Sequence, residues 1–114
     1  MKNLQNMKTL SELLTALQSQ SIPIFISLCA RCGNDNNLMD EVISNLQKKY
    51  ITKLGYHKLA GEAATLIKQE LKISKNPVLL LIKNGEIRAV FGGIIAQYKL
   101  EQALQNLSVS THKQ

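Results

Sequence analysis

A chain of 114 residues, 45% of them hydrophobic, is long enough for one domain with a real core and too short for two. Its longest apolar run, Ile22 to Ala30, falls far short of a membrane span, and the N-terminus Met-Lys-Asn-Leu-Gln-Asn-Met-Lys lacks the apolar stretch of a secretory signal, so a soluble cytoplasmic protein is expected. The net charge of +6 comes from scattered lysines and only two arginines, without interleaved aromatics, which reads as a solvated basic surface rather than a nucleic-acid footprint, with an acidic protein partner left open.

Met1 to Lys8 read as a frayed end. Thr9 to Gln20 read as a helix: Thr9 and Glu12 have capping-box spacing, and Leu10, Leu13, Leu14 and Leu17 share one face. Ile22 to Leu28 read as a buried strand, with Pro23 confined to its first residues, where a missing donor is tolerated. Gly33 to Asn37 are turn-forming residue types, so a loop is expected there, with Asn36 or Asn37 capping a helix from Leu38. That helix presents Leu38, Met39, Val42, Ile43, Leu46 and Tyr50 on one face.

A second strand falls within Ile51 to Leu59, from near Lys53. Gly61 to Lys72 form a helix with Ala63, Leu66, Ile67 and Leu71 inward, broken by Ser74-Lys75-Asn76-Pro77. Val78 to Ile82, five apolar residues between turn signals, read as a central strand. Asn84-Gly85 marks a hairpin turn returning through Glu86 to Phe91, with Gly92-Gly93 ending that strand. A last helix spans about Gln97 to Leu107, and Ser108 to Gln114 read as a disordered tail. The whole is one domain, 1–114, with its core at about 9–107.

The order is α-β-α-β-α-β-β-α. Helices join the first strand to the second and the second to the third, so those pairs can be parallel with right-handed crossovers; the last pair is an antiparallel hairpin. The fold class is α/β, a mixed four-stranded sheet with helices on both faces.

The two cysteines, Cys29 and Cys32, fall where the first strand hands over to a helix. One helical turn brings side chains three apart within roughly 5–6 Å, inside the range that a disulfide spans. Unpaired N–H groups at a helix start favour thiolate; Arg31 adds to this and Asp35 opposes it. Gly33 to Asn36 argue against a helical turn directly after Cys32. His57 and His112 add no ligand pair, so neither a metal nor a cofactor is expected. The plain alternative is two small apolar residues in a loop.

With a Cys-x-x-Cys after its first strand, this order resembles the thioredoxin family. Asn76-Pro77-Val78-Leu79-Leu80-Leu81-Ile82-Lys83-Asn84-Gly85-Glu86-Ile87 is similar to the family's Pro, apolar strand, Lys-Asn-Gly hairpin and return strand. Pro77 stands at its cis-proline, Gly93 at its glycine after the return strand, Lys58-Leu59 at the end of its central strand, and Lys99 to Leu104 at the start of its last helix. The likeness spans about Ser21 to Leu107. It departs at the corner: Leu28 replaces the usual Trp, Ala30-Arg31 replace Gly-Pro, and Ile24, Phe25 and Ile26 leave no buried acid.

The resemblance implies thiol–disulfide exchange on a protein client bearing a disulfide or thiol, with a reductase as electron donor. Cys29 and Cys32 would be catalytic; Arg31, Asn76, Pro77 and Gly93 would meet the substrate. Counted by the motif, Cys29 attacks and Cys32 resolves. Counted from the strand, Cys32 takes the nucleophile's place and Asp35 that of the second cysteine. The competing implication is a redox-inactive binding or assembly module with a degenerate site. A third, metal or persulfide handling, would need ligands from another chain.

Overall fold

The computed structural model describes residues 7–30, 34–50 and 53–112. Its elements are α1 (Leu10–Ala16), β1 (Ile24–Cys29), α2 (Asn34–Lys49), β2 (Gly55–Ala60), α3 (Gly61–Leu71), β3 (Val78–Lys83), β4 (Glu86–Gly92) and α4 (Gln97–His112). Of the frayed start expected at 1–8, residues 1–6 lie outside the described residues, whereas Met7 is buried in the core and the Lys8 N–H donates to the Glu12 carboxylate at 2.9 Å.

The four strands form one sheet in the order β2-β1-β3-β4. β1 and β2 are parallel, whereas β3 pairs antiparallel with both β1 and β4. The parallel pairing that the sequence left open to the second and third strands does not form: β3 lies on the far side of β1. The burial of each strand gives the reason. β1 is buried at every position and β3 at all but its last, so both need neighbours on two edges and cover on two faces. β2 and β4 carry half-exposed patterns and take the edges.

Alternation along β1 and β3 divides the core in two. Ile24, Ile26 and Leu28 meet Val78, Leu80 and Ile82 under α1 and α3, with Leu13, Leu17 and Ile67. Phe25, Leu79 and Leu81 pack on the other face against Met39, Ile43 and Leu46 of α2 and Leu100, Leu104 and Leu107 of α4.

The strand boundaries shift by one or two residues from the sequence reading, and three helix ends differ by more. α1 ends at Ala16, short of Gln20, after the expected capping box between Thr9 and Glu12. α2 starts at Asn34 instead of Leu38, so 34–37 are helical and not a loop. Asn and Asp suit the first helical turn as well as a loop, and an acid there is favoured by the helix dipole. Leu38, expected on the apolar face, is 51% exposed. α4 continues to His112, so the tail read as disordered from Ser108 is helical that far; no Gly or Pro interrupts it.

The Asn84-Gly85 turn has positive φ at both residues, 55° and 76°, as a type I′ hairpin requires. Its tip packs on the end of α1, where the Asn84 N–H donates to the Gln20 carbonyl at 3.2 Å. A Cβ at Gly85 would lie 2.9 Å from both the Gln18 Cα and the Leu14 carbonyl oxygen, while one at Gly61, φ 62°, would meet nothing within 4 Å. Gly61→Ala should therefore cost only the left-handed backbone term, about 1–2 kcal/mol. Gly85→Ala should cost a further ~1–3 kcal/mol for the clash. Urea denaturation of the two variants checks this; equal losses would mean that the hairpin tip and α1 are not in contact.

Candidate functional site

β1 ends at Cys29, and the register of the sheet determines what lies beside it. Cys29 is opposite Ala60 of β2. On the other edge Leu28 is opposite Val78, so one step further along the antiparallel register Cys29 faces Pro77. Val78 is opposite Gly92, and the next residue, Gly93, donates its N–H to the Pro77 carbonyl at 2.8 Å. Ala60, Cys29, Pro77 and Gly93 thus form one row across an end of the sheet. The Asn76–Pro77 peptide bond is cis.

Cys29 is 4% exposed and disulfide-bonded. Arg31 and Cys32 lie outside the described residues, so the roles read for them from the sequence have no structural counterpart here. α2 begins two positions after Cys32 in the chain, which overturns the expectation that no helical turn follows it closely.

Asn76 is exposed, and its side-chain oxygen accepts a hydrogen bond from the Lys68 ammonium. Lys68 is only 7% exposed, and burial pushes its pKa below the ordinary lysine value. The sequence reading did not single out Lys68. Its signal was position: it shares a helical face with Ala64 and Leu71, four before and three after.

No family model and no curated protein matches this sequence. Solved structures do match. Desulfothioredoxin from Desulfovibrio vulgaris Hildenborough, in its reduced form, superposes with a TM-score of 0.67 at 17% identity, over 82% of this chain and 88% of that one. The fold is thioredoxin-like. A cysteine-to-serine mutant of an Entamoeba histolytica thioredoxin gives 0.59 at 24% identity, over 88% of this chain and 95% of that one. Thioredoxin-2, a component of the malaria parasite protein secretion machinery, gives 0.61 at 15% identity, over 75% and 82%.

β1 carries no acidic residue, and its Ile24, Phe25 and Ile26 are all buried apolar residues. A carboxylate instead reaches the sheet from α2. Asp40 accepts from the Tyr56 hydroxyl at 2.6 Å and from the Lys58 ammonium at 2.8 Å. Sequence reasoning missed this group because its partners lie 16 and 18 positions away. Among the described residues no group of three His, Cys, Asp or Glu side chains could hold a metal ion, and no helix is long and apolar enough to cross a membrane.

Burial, then the hydrogen bond and charge of Asp40, hold the Tyr56 phenol well above its ordinary pKa of 10.0, with a Ser27 hydrogen bond opposing them. The folded pKa exceeds the unfolded one, so this contribution to stability is complete below the unfolded value and is lost as pH rises through the folded value. Urea midpoints measured just below pH 10 and about one unit above it should fall in the wild type and fall less in Tyr56→Phe. Equal falls would show that the phenol is not held in its neutral form.

Proposed function

We propose that this chain is a thiol–disulfide oxidoreductase that acts on protein disulfides through Cys29 and Cys32. The observation that carries the reading is Cys29: it ends the central strand of a thioredoxin-like fold, is disulfide-bonded, and lies in register with the cis-proline Pro77. Cys32 is the only other cysteine in the chain.

Burial divides the roles. Cys29 is nearly closed to solvent, which disfavours its thiolate and its approach to a client. Cys32 precedes the first residue of α2 by two positions, where unpaired N–H groups favour negative charge. Cys32 is therefore the attacking residue and Cys29 the resolving one, the order obtained by counting from the strand. The Cys32 thiolate attacks one sulfur of the client disulfide. The client S–S bond breaks, and the departing sulfur leaves as thiolate and takes a proton. The Cys29 thiolate then attacks the Cys32 sulfur, forms the internal disulfide and releases the second client thiol. The client gains two electrons and the cysteine pair loses them, to be restored by a dithiol reductase or a thiol reductant. Asn76, with Pro77 and Gly93 beside it, offers backbone groups to an extended client strand. Arg31 adds positive charge near the thiolate. This reading places the chain in the cytoplasm, where thiol reductants are at hand.

The same burial of Cys29, with the missing acid on β1, favours a second reading: a thioredoxin-like binding module without turnover. Insulin reduction with a thiol reductant separates the two. Cys32→Ser should bring turnover down to background, and Cys29→Ser should trap mixed disulfides with the client. The reverse pattern would restore the motif order of attack. Wild-type turnover in both single variants would exclude exchange by this pair.

A further inference from the structure

Beside the Cys29 corner, between the second half of α3 and the segment leading into β3, lies a cavity of about 380 Å³. Ala30, the residue after Cys29, lines one part of it; Thr65, Lys68, Gln69, Lys72, Ile73 and Ser74 line the rest. Two of these side chains are cationic and none is acidic. The acids nearest in sequence are engaged elsewhere: Glu70 accepts from the Leu10 N–H at 2.7 Å and Glu62 pairs with Lys8 at 3.7 Å. Among the described residues no carboxylate forms an ion pair with Lys68, which is 93% buried and donates to the neutral Asn76 amide oxygen.

A buried ammonium with only a neutral acceptor is costly, and an entering carboxylate relieves that cost. The depressed Lys68 pKa has this cause, and a bound anion would raise it again. The carbonyls ending α3 would repel an anion if bare. Two of them are capped, since the Lys72 N–H donates to the Gln69 carbonyl at 3.1 Å and the Ile73 N–H to the Lys68 carbonyl at 3.2 Å. The Gln69 amide and Ser74 hydroxyl add donors at the exposed rim.

We infer that this cavity is a subsite for an acidic side chain of the client protein, held by Lys68 and Lys72 beside the Cys29 corner. The inference rests on the exchange reading for its biological setting, but not for its binding chemistry. The remaining walls are largely aliphatic, which suits the methylene stem of a glutamate better than a free inorganic anion. Through Asn76, Lys68 also ties the subsite to the loop that carries Pro77, so an anion seated there lies beside the edge to which an extended client strand would add.

The test uses two short synthetic peptides that differ only in glutamate versus glutamine beside a serine, the serine replacing the client cysteine. Binding to full-length chain carrying Cys29→Ser and Cys32→Ser is followed by calorimetry and by amide NMR shifts at 65–74. The glutamate peptide should bind about tenfold more tightly, a difference of ~1.4 kcal/mol, and salt should erode that preference. Lys72→Gln, an exposed position that disturbs no described hydrogen bond of its side chain, should remove most of the preference, and Lys68→Gln the rest. Equal binding of the twins, or a preference that survives both substitutions, would overturn the inference. Cysteine-bearing versions of the peptides with wild-type chain then report exchange separately. A glutamate preference in binding without exchange would leave the subsite standing and remove the oxidoreductase reading.

Discussion

The antiparallel pairing of β1 with β3 is the constraint on which the rest depends. Both strands are buried on two faces, so each must have a full ladder on both edges and helices above and below. A slip of one residue would turn Phe25 and Leu81 into the α1–α3 layer and Ile26 and Leu80 out of it. Cores packed to crystal density do not tolerate such an exchange of shapes, so the register is tightly specified. The same register brings Cys29 opposite Pro77. The packing that holds the sheet together is therefore also what aligns the candidate site.

The edges of the sheet have a different task. β2 brings Tyr56 and Lys58 to the Asp40 carboxylate on α2, a polar clasp beside the buried strand β1. β4 closes the other edge, and its exit at Gly93 is bonded to the Pro77 carbonyl. α3 sits over the remaining side, where Lys68 reaches Asn76. Two of these polar contacts, at Pro77 and at Asn76, thus lie at the end of the sheet where Cys29 lies; the Asp40 clasp sits further back, level with Phe25 and Ser27, and the opposite end is closed by the Asn84-Gly85 turn packed on α1. Apolar layers give the fold its stability, and directional bonds fix the geometry of one corner.

Much of this was legible in the sequence because it is local. Thr9 and Glu12 announce their capping box, Asn84-Gly85 its turn, and the apolar run from Val78 its central strand. Strand order was not legible, because alternation and apolar runs say which faces are buried but not which strand is the neighbour. The start of α2 was missed because Asn34 to Asn37 suit a first helical turn and a loop equally well. The end of α4 was missed because a polar stretch such as Ser108 to His112 carries neither a stop signal nor an apolar stripe. Lys68 and Asp40 escaped notice because their importance arises from partners brought close only by folding. The roles proposed for the two cysteines could not be counted from the motif, since the burial of Cys29 on which they rest is a tertiary property.

The account turns on a difference in environment between two sulfurs three positions apart. The direct measurement is the rate of alkylation of each cysteine in the reduced protein, resolved by peptide mass spectrometry across a pH series. The account requires Cys32 to react first, with an apparent pKa below the ordinary cysteine value of about 8.5, while Cys29 is protected until the chain unfolds. Equal rates at both positions, or Cys29 reacting ahead of Cys32, would contradict it.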